Sequence, residues 1–185
     1  MSLTENEFAV LRSTISTRGT VRMALLPLTI VSWALLAGAL SLWSETPIAI
    51  LFPLAALVSG FEAIHALHVG VERIGRYIQV NYESLPGAPQ WESTAMRVGP
   101  ALPGGGIDPL FTVVFMSAAF ANLIPAVMVA PTRAEYGVLA AVHVIFIIRL
   151  VRARGAAARQ RAVDLETFTA IRSETPGPRP SVTDM

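Results

Sequence analysis

The chain has 185 residues, of which 53% are hydrophobic and 15% charged, against roughly 25% charged in an ordinary soluble domain. With a mean hydropathy of +0.55 and several long apolar runs, the excess has to be absorbed by lipid, which excludes a typical water-soluble enzyme and implies a polytopic membrane protein. A formal net charge of +1 excludes a strongly basic nucleic-acid surface, and because all 14 basic residues are arginine and cysteine is absent, disulfides, thiolate chemistry and Schiff-base lysines are excluded too.

The opening stretch lacks the basic region, apolar block and cleavage site of a signal peptide, so the N-terminus is expected to be retained. Residues 1–19 predict a short amphipathic helix. Thr4 and Glu7 have capping-box spacing, Phe8, Leu11 and Ile15 share a face, and Gly19 is expected to break the helix where it lies along the membrane surface. The first span, 23–43, is 21 apolar residues, enough at about 1.5 Å per residue to cross a hydrocarbon core of roughly 30 Å.

Only Ser44, Glu45 and Thr46 separate it from a second span, 47–71, which requires a tight antiparallel hairpin. This span carries Glu62, His65 and His68 toward its end. The helical period continues beyond it through Ile74 and Ile78, with Glu72 four residues before Arg76, predicting an extension to about Tyr82. Residues 84–109, rich in proline and glycine, read as an irregular loop. Its Gly104 to Gly106 triplet has neither the preceding strand nor the following lysine of a phosphate loop.

The third span, 110–130, opens with Asp108 as N-cap and Pro109 at the first helical position. The fourth, 136–151, follows Pro131 and a capping box from Thr132 to Glu135. Residues 153–172 predict a further helix, and the proline-rich tail 173–185 a disordered end. Pro27, Pro53 and Pro125 each free a carbonyl and predict a kink. Ala34 with Gly38, Ala56 with Gly60 and Ser117 with Ala121 have the small-residue spacing that permits close helix approach.

The expected fold class is therefore an all-α integral membrane protein, four transmembrane helices in two antiparallel hairpins. Arg12, Arg18, Arg22, Arg73, Arg76, Arg97 and the set from Arg149 onward fall on one side, against Arg133 alone on the other. The positive-inside rule then makes both termini cytoplasmic, in an inner membrane of bacterial type.

Ionisable residues inside a span are expensive, about 2.5 to 3.5 kcal/mol on insertion scales, so they mark a site or a pairing. Glu62, His65, Glu72 and Arg149 form the expected polar cluster, with Arg149 pairing Glu62 or Glu72. Glu62 and His65 have the Glu-x-x-His spacing of carboxylate-bridged di-iron bundles, but the second motif and the further glutamates are missing. Haem or another metal is the candidate cofactor, with His65, His68 and His143 as ligands. A shared haem depends on depth: His65 and His143 stand level when counted from the inner ends of their spans and far apart when counted from the outer ends. The sequence does not choose between these.

Tyr77, Tyr82 and Trp91, beside Arg73, Arg76 and Arg97, read either as a docking surface for a partner or anionic lipid, or as packing of the loop against the bundle. Without a nucleophile and base pair or a polar track across the bilayer, the leading reading is a noncatalytic accessory or scaffold protein. It would contact lipid and another membrane protein or a second copy of itself through its cytoplasmic extension and loop, with no nucleic acid involved. The rivals are a redox subunit using the three histidines, and proton-coupled transport through Glu62 and His65.

Overall fold

The computed structural model describes residues 3–85, 87–98 and 109–174. Among these there is no strand, and four helices are long and apolar enough to cross a membrane. In chain order the helices are α1 (Leu3–Trp43), a 3₁₀ turn (Pro47–Ile50) running into α2 (Leu51–Asn81), α3 (Trp91–Val98), α4 (Pro109–Ala121), α5 (Ile124–Met128) and α6 (Arg133–Glu174).

Two expected boundaries are absent. Helix α1 continues through Gly19, where a break separating a surface helix from the first span is expected. A glycine inside a helix costs about 1 kcal/mol relative to alanine, too little by itself to end a long rod, although Thr17, Thr20 and Val21 beside it are only moderate helix formers. Likewise the fourth span and the following helix are one rod of 42 residues, roughly 63 Å long. Helix α1 already begins at Leu3, ahead of the expected cap at Thr4, and the Glu7 carboxylate accepts a hydrogen bond from the Tyr77 hydroxyl.

The other signals act as their chemistry suggests. Helix α2 ends at Asn81, with Tyr82 capping it. Thr132 and Glu135 form their reciprocal box: the Thr132 N–H donates to the carboxylate at 2.8 Å, and the Glu135 N–H donates to the Thr132 hydroxyl at 3.4 Å. Pro125 interrupts the third span. Its ring opposes the carbonyl four residues earlier, that of Ala121, where α4 ends, and Asn122 and Leu123 form a turn before α5. Pro27, by contrast, lies inside an unbroken α1. Asp108, the Gly104 to Gly106 triplet and tail residues 175–185 lie outside the described residues.

Helix α2 is central and α1 peripheral: 39% of the apolar window of α2 is buried in the protein, against 6% for α1. Leu54, Leu57, Phe61 and Ile64 form the inward stripe of α2, meeting Phe115, Ala118 and Ala119 of α4 and Phe146, Leu150 and Ala153 of α6. Phe61 is the hub, with the rings of Phe111, Phe115 and Phe146 at 5.9, 5.5 and 6.0 Å, within the range of favourable aromatic pairs. Because lipid gives no hydrophobic drive between helices, such shape matching carries the association. Among the described glycines the tightest surroundings are at Gly60, where a Cβ would lie 2.2 Å from Thr29 Cγ2 of α1, whereas Gly38 has open space.

The arginine-rich ends of α1, α2 and α6 gather at one end of the bundle. Tyr77 of α2 meets both Glu7 of α1 and Phe168 of α6. Here the expected irregular loop contains α3. The carboxylate of buried Glu83 accepts the N–H groups of Glu92 and Ser93 at 2.5 and 2.8 Å, which satisfies two first-turn donors and places negative charge at the helix N-terminus.

Candidate functional site

The polar side chains fall into separate layers along the bundle. The layer nearest the connecting turns centres on Asn122, fully buried in the break between α4 and α5. Its amide nitrogen donates to the Ile50 carbonyl at 3.0 Å and to His143 Nε2 at 3.2 Å, while its oxygen accepts from Trp33 Nε1 at 3.0 Å. His143 Nδ1 lies 2.8 Å from the Leu139 carbonyl. A carbonyl cannot donate, so Nδ1 carries the hydrogen and Nε2 is the acceptor for Asn122. Every group in this set then has a partner of the right kind. One side chain ties α1, the 3₁₀ turn, the third span and α6 together at a single level.

The next layer is the ion pair between Arg149 and Glu62, 2.7 Å apart, with the guanidinium 5.5 Å from the Phe61 ring centre. His65 stacks on Phe61 with ring centres 5.8 Å apart. Glu72 pairs with Arg161, not with Arg149. His68 stands between Arg22, whose Nη1 lies 3.0 Å from its Nδ1, and Glu72, 3.9 Å from its Nε2. Further along, Arg73 pairs with Asp164 at 3.3 Å, and Gln160 donates to the same carboxylate at 2.8 Å.

These pairs fix the relative depth of the second and fourth spans. Helices α2 and α6 run side by side in the same direction, through Glu62 with Arg149, Glu72 with Arg161, Arg73 with Asp164 and Val80 with Arg172. His143 precedes Arg149 by six residues and His65 follows Glu62 by three, so at about 1.5 Å per residue they stand roughly 13 Å apart along the axis. One haem iron within this chain cannot take both as axial ligands. Both ring nitrogens of His143 are already engaged, and His68 belongs to the Arg22 and Glu72 layer. Among the described residues no three His, Asp or Glu side chains group in a way that could hold a metal ion, so the Glu62 and His65 motif has no companions.

At the arginine-rich end, most of the expected docking residues turn inward. Arg76 is 5% exposed and lies 3.6 Å from Glu92, which also takes Arg12 at 3.2 Å. Tyr77 is held by Glu7 and stacks edgewise on Phe168, and Tyr82 packs against Phe8 at 5.3 Å. Burial, with Glu7 nearby, raises the Tyr82 pKa well above its ordinary value, so the hydroxyl stays protonated. Arg73 is half exposed. Trp91, 65% exposed, and Leu85 remain open.

Sequence reasoning does not supply Trp33 and Ile50 as the partners of Asn122. It also misses the roles of Glu83, Glu92, Arg161 and Asp164, whose partners lie far away along the chain. No protein-family model, curated protein or solved structure matches this chain.

Proposed function

We propose that this protein is a noncatalytic accessory or scaffold protein of a bacterial-type inner membrane. Its four spans form two antiparallel hairpins with both termini cytoplasmic, and its cytoplasmic end binds another membrane protein or a second copy. The topology is supported by the arginine asymmetry and by the pairing of α1 with α2 at residues 29 and 60, 22 and 68, and 7 and 77.

The observation that carries the reading is the construction of that end. Three helices project beyond the apolar part of the bundle and are fastened by Glu7 with Tyr77, Arg12 and Arg76 with Glu92, and Arg161 with Glu72. This rigid platform presents an exposed tryptophan on α3, the residue type most enriched in binding hot spots. Inside the bundle the polar groups answer one another, which supports a structural use of Glu62, Arg149 and His143. The partner-binding surface is accordingly drawn around Trp91 and Leu85, with Arg73 at its edge, and Arg76, Tyr77 and Tyr82 are its support.

The test is the native mass of the complex extracted from its own membrane in mild detergent. The parent chain should travel in a particle larger than its 19.8 kDa plus detergent, and Trp91→Ala should release it. Phe120→Ala, a change at an exposed position on α4, should not. Equal particle size for parent and Trp91→Ala would count against this surface.

A further inference from the structure

Helix α1 carries three arginines and, from Phe8 to Trp43, no acidic residue. Arg12 is answered from α3, by Glu92 at 3.2 Å. Arg18 and Arg22 stand one turn apart and so share a face of the helix. Both reach across to α2, yet among the described residues no carboxylate lies within ion-pair distance of either. The Arg18 guanidinium lies against α2 at Gly70, where a Cβ would stand 2.6 Å from its Nη1.

Arg22 meets a neutral group. A guanidinium cannot accept a hydrogen bond, so the 3.0 Å contact from its Nη1 requires a lone pair on His68 Nδ1 and puts the ring hydrogen on Nε2, toward Glu72. Glu72 in turn is taken by Arg161 of α6. Two full positive charges on the seam between α1 and α2 are thus left without a counter-charge from the described protein.

Their height indicates what supplies it. Arg22 directly precedes the apolar run 23–43, and Arg18 stands about 6 Å further out, the zone in which headgroups follow the hydrocarbon edge. Helix α1 is also open to lipid, with 6% of its apolar window buried and with Val21 and Met23, beside the two arginines, exposed. A planar guanidinium matches the oxygens of a phosphate better than any other cationic side chain.

We propose that the seam at Arg18 and Arg22 binds an anionic phospholipid of the leaflet on the arginine-rich side, its phosphate taken by the two guanidinium groups and its chains lying along the exposed surface of α1. The inference rests on the membrane reading of the spans and is independent of the partner-binding platform, so it is tested without a partner.

The full chain in mild nonionic detergent is titrated with phosphatidylglycerol and, separately, with phosphatidylcholine, and the lipids carried by each protein molecule are counted by native mass spectrometry. One arginine near an anionic headgroup is worth about a fivefold gain in binding, so the first phosphatidylglycerol should be held about twenty-five-fold more tightly than phosphatidylcholine. Arg18→Gln and Arg22→Gln should each weaken that first event about fivefold, and the double change should abolish the preference. Arg18 makes no hydrogen bond to another described residue, so Arg18→Gln tests the site without removing a contact that holds the bundle. Arg159→Gln removes the same charge from an exposed position on α6, two residues before the partner of Glu72, and should leave the first event unchanged. An equal loss with Arg159→Gln, no preference for phosphatidylglycerol, or displacement of the first lipid by millimolar inorganic phosphate overturns the proposal.

Discussion

Replacing Asn122 by alanine tests whether one buried amide holds together the half of the bundle nearest the connecting turns. The substitution removes three hydrogen bonds, to the Ile50 carbonyl, His143 and Trp33. Side-chain hydrogen bonds in membrane proteins average about 0.6 kcal/mol and reach about 1.7, so the three together are worth between about 2 and 5 kcal/mol. The upper half of that range is favoured here, because Asn122 and His143 are 0% and 2% exposed and their orphaned partners find no water. Unfolding of the purified protein in mixed detergent and denaturing-detergent micelles measures the loss. A double-mutant cycle with His143→Ala isolates the direct bond, for which a coupling of about 0.6 to 1.7 kcal/mol is expected. A total loss under about 1 kcal/mol, or no coupling with His143, would refute the account of this layer.

The helix contact at Gly60 makes a sharper steric case: Gly60→Ala gains about 1 kcal/mol of helix propensity, yet its Cβ would fall 2.2 to 2.7 Å from three Thr29 side-chain atoms, including the Cβ, which cannot rotate away. A net loss of about 1 to 3 kcal/mol is expected in the same micelle assay, eased only in part by Thr29→Ala, which removes the methyl and hydroxyl but keeps the Cβ at 2.7 Å, and absent in Gly38→Ala. Glu83→Gln should weaken the capping of α3 by about 1 kcal/mol; faster amide hydrogen exchange across 91–98, with the rest of the bundle unchanged, is the expected signature. Removing either Glu62 or Arg149 leaves the other charge unpaired beside the apolar spans, so a loss of about 1 to 3 kcal/mol is expected in micelles; no measurable loss would show that the pair does not help to hold the bundle.

What the sequence makes legible is what depends on neighbours in the chain. The four apolar lengths, the cap at Thr132 and Glu135, the break before Pro125 and the continuation of α2 to Asn81 all follow from local periodicity and backbone chemistry. The Gly19 boundary fails because local propensity alone is asked to end a helix that contacts with α2 on either side sustain. Helix α3 is missed for the opposite reason: its N-terminal donors are satisfied by Glu83, nine and ten residues earlier, so no residue adjacent to the helix announces it. Partner choice is the least legible feature. Arg149 has two glutamates within plausible reach on α2, and only the register between α2 and α6 assigns it Glu62 and leaves Glu72 to Arg161.

That register also bears on the transport reading. A proton moving from the Glu62 layer toward the opposite side would have to reach Asn122 and His143, about 9 Å along α6 from Arg149 at six residues' remove. The interval is filled by Leu54, Leu57 and Phe61 of α2, Phe115, Ala118 and Ala119 of α4, and Phe146 of α6, all buried. This is a packed apolar layer with Phe61 at its centre and ring contacts on several sides; the buried Thr29 hydroxyl beside Gly60 is a polar group at its edge, and the aliphatic and aromatic side chains that fill the layer cannot hand a proton on. The polar layers therefore act as separate clasps on either side of an apolar one. Their effect is to hold four helices in one register, so that the arginine-rich ends of three of them meet to build the platform that α3 crowns.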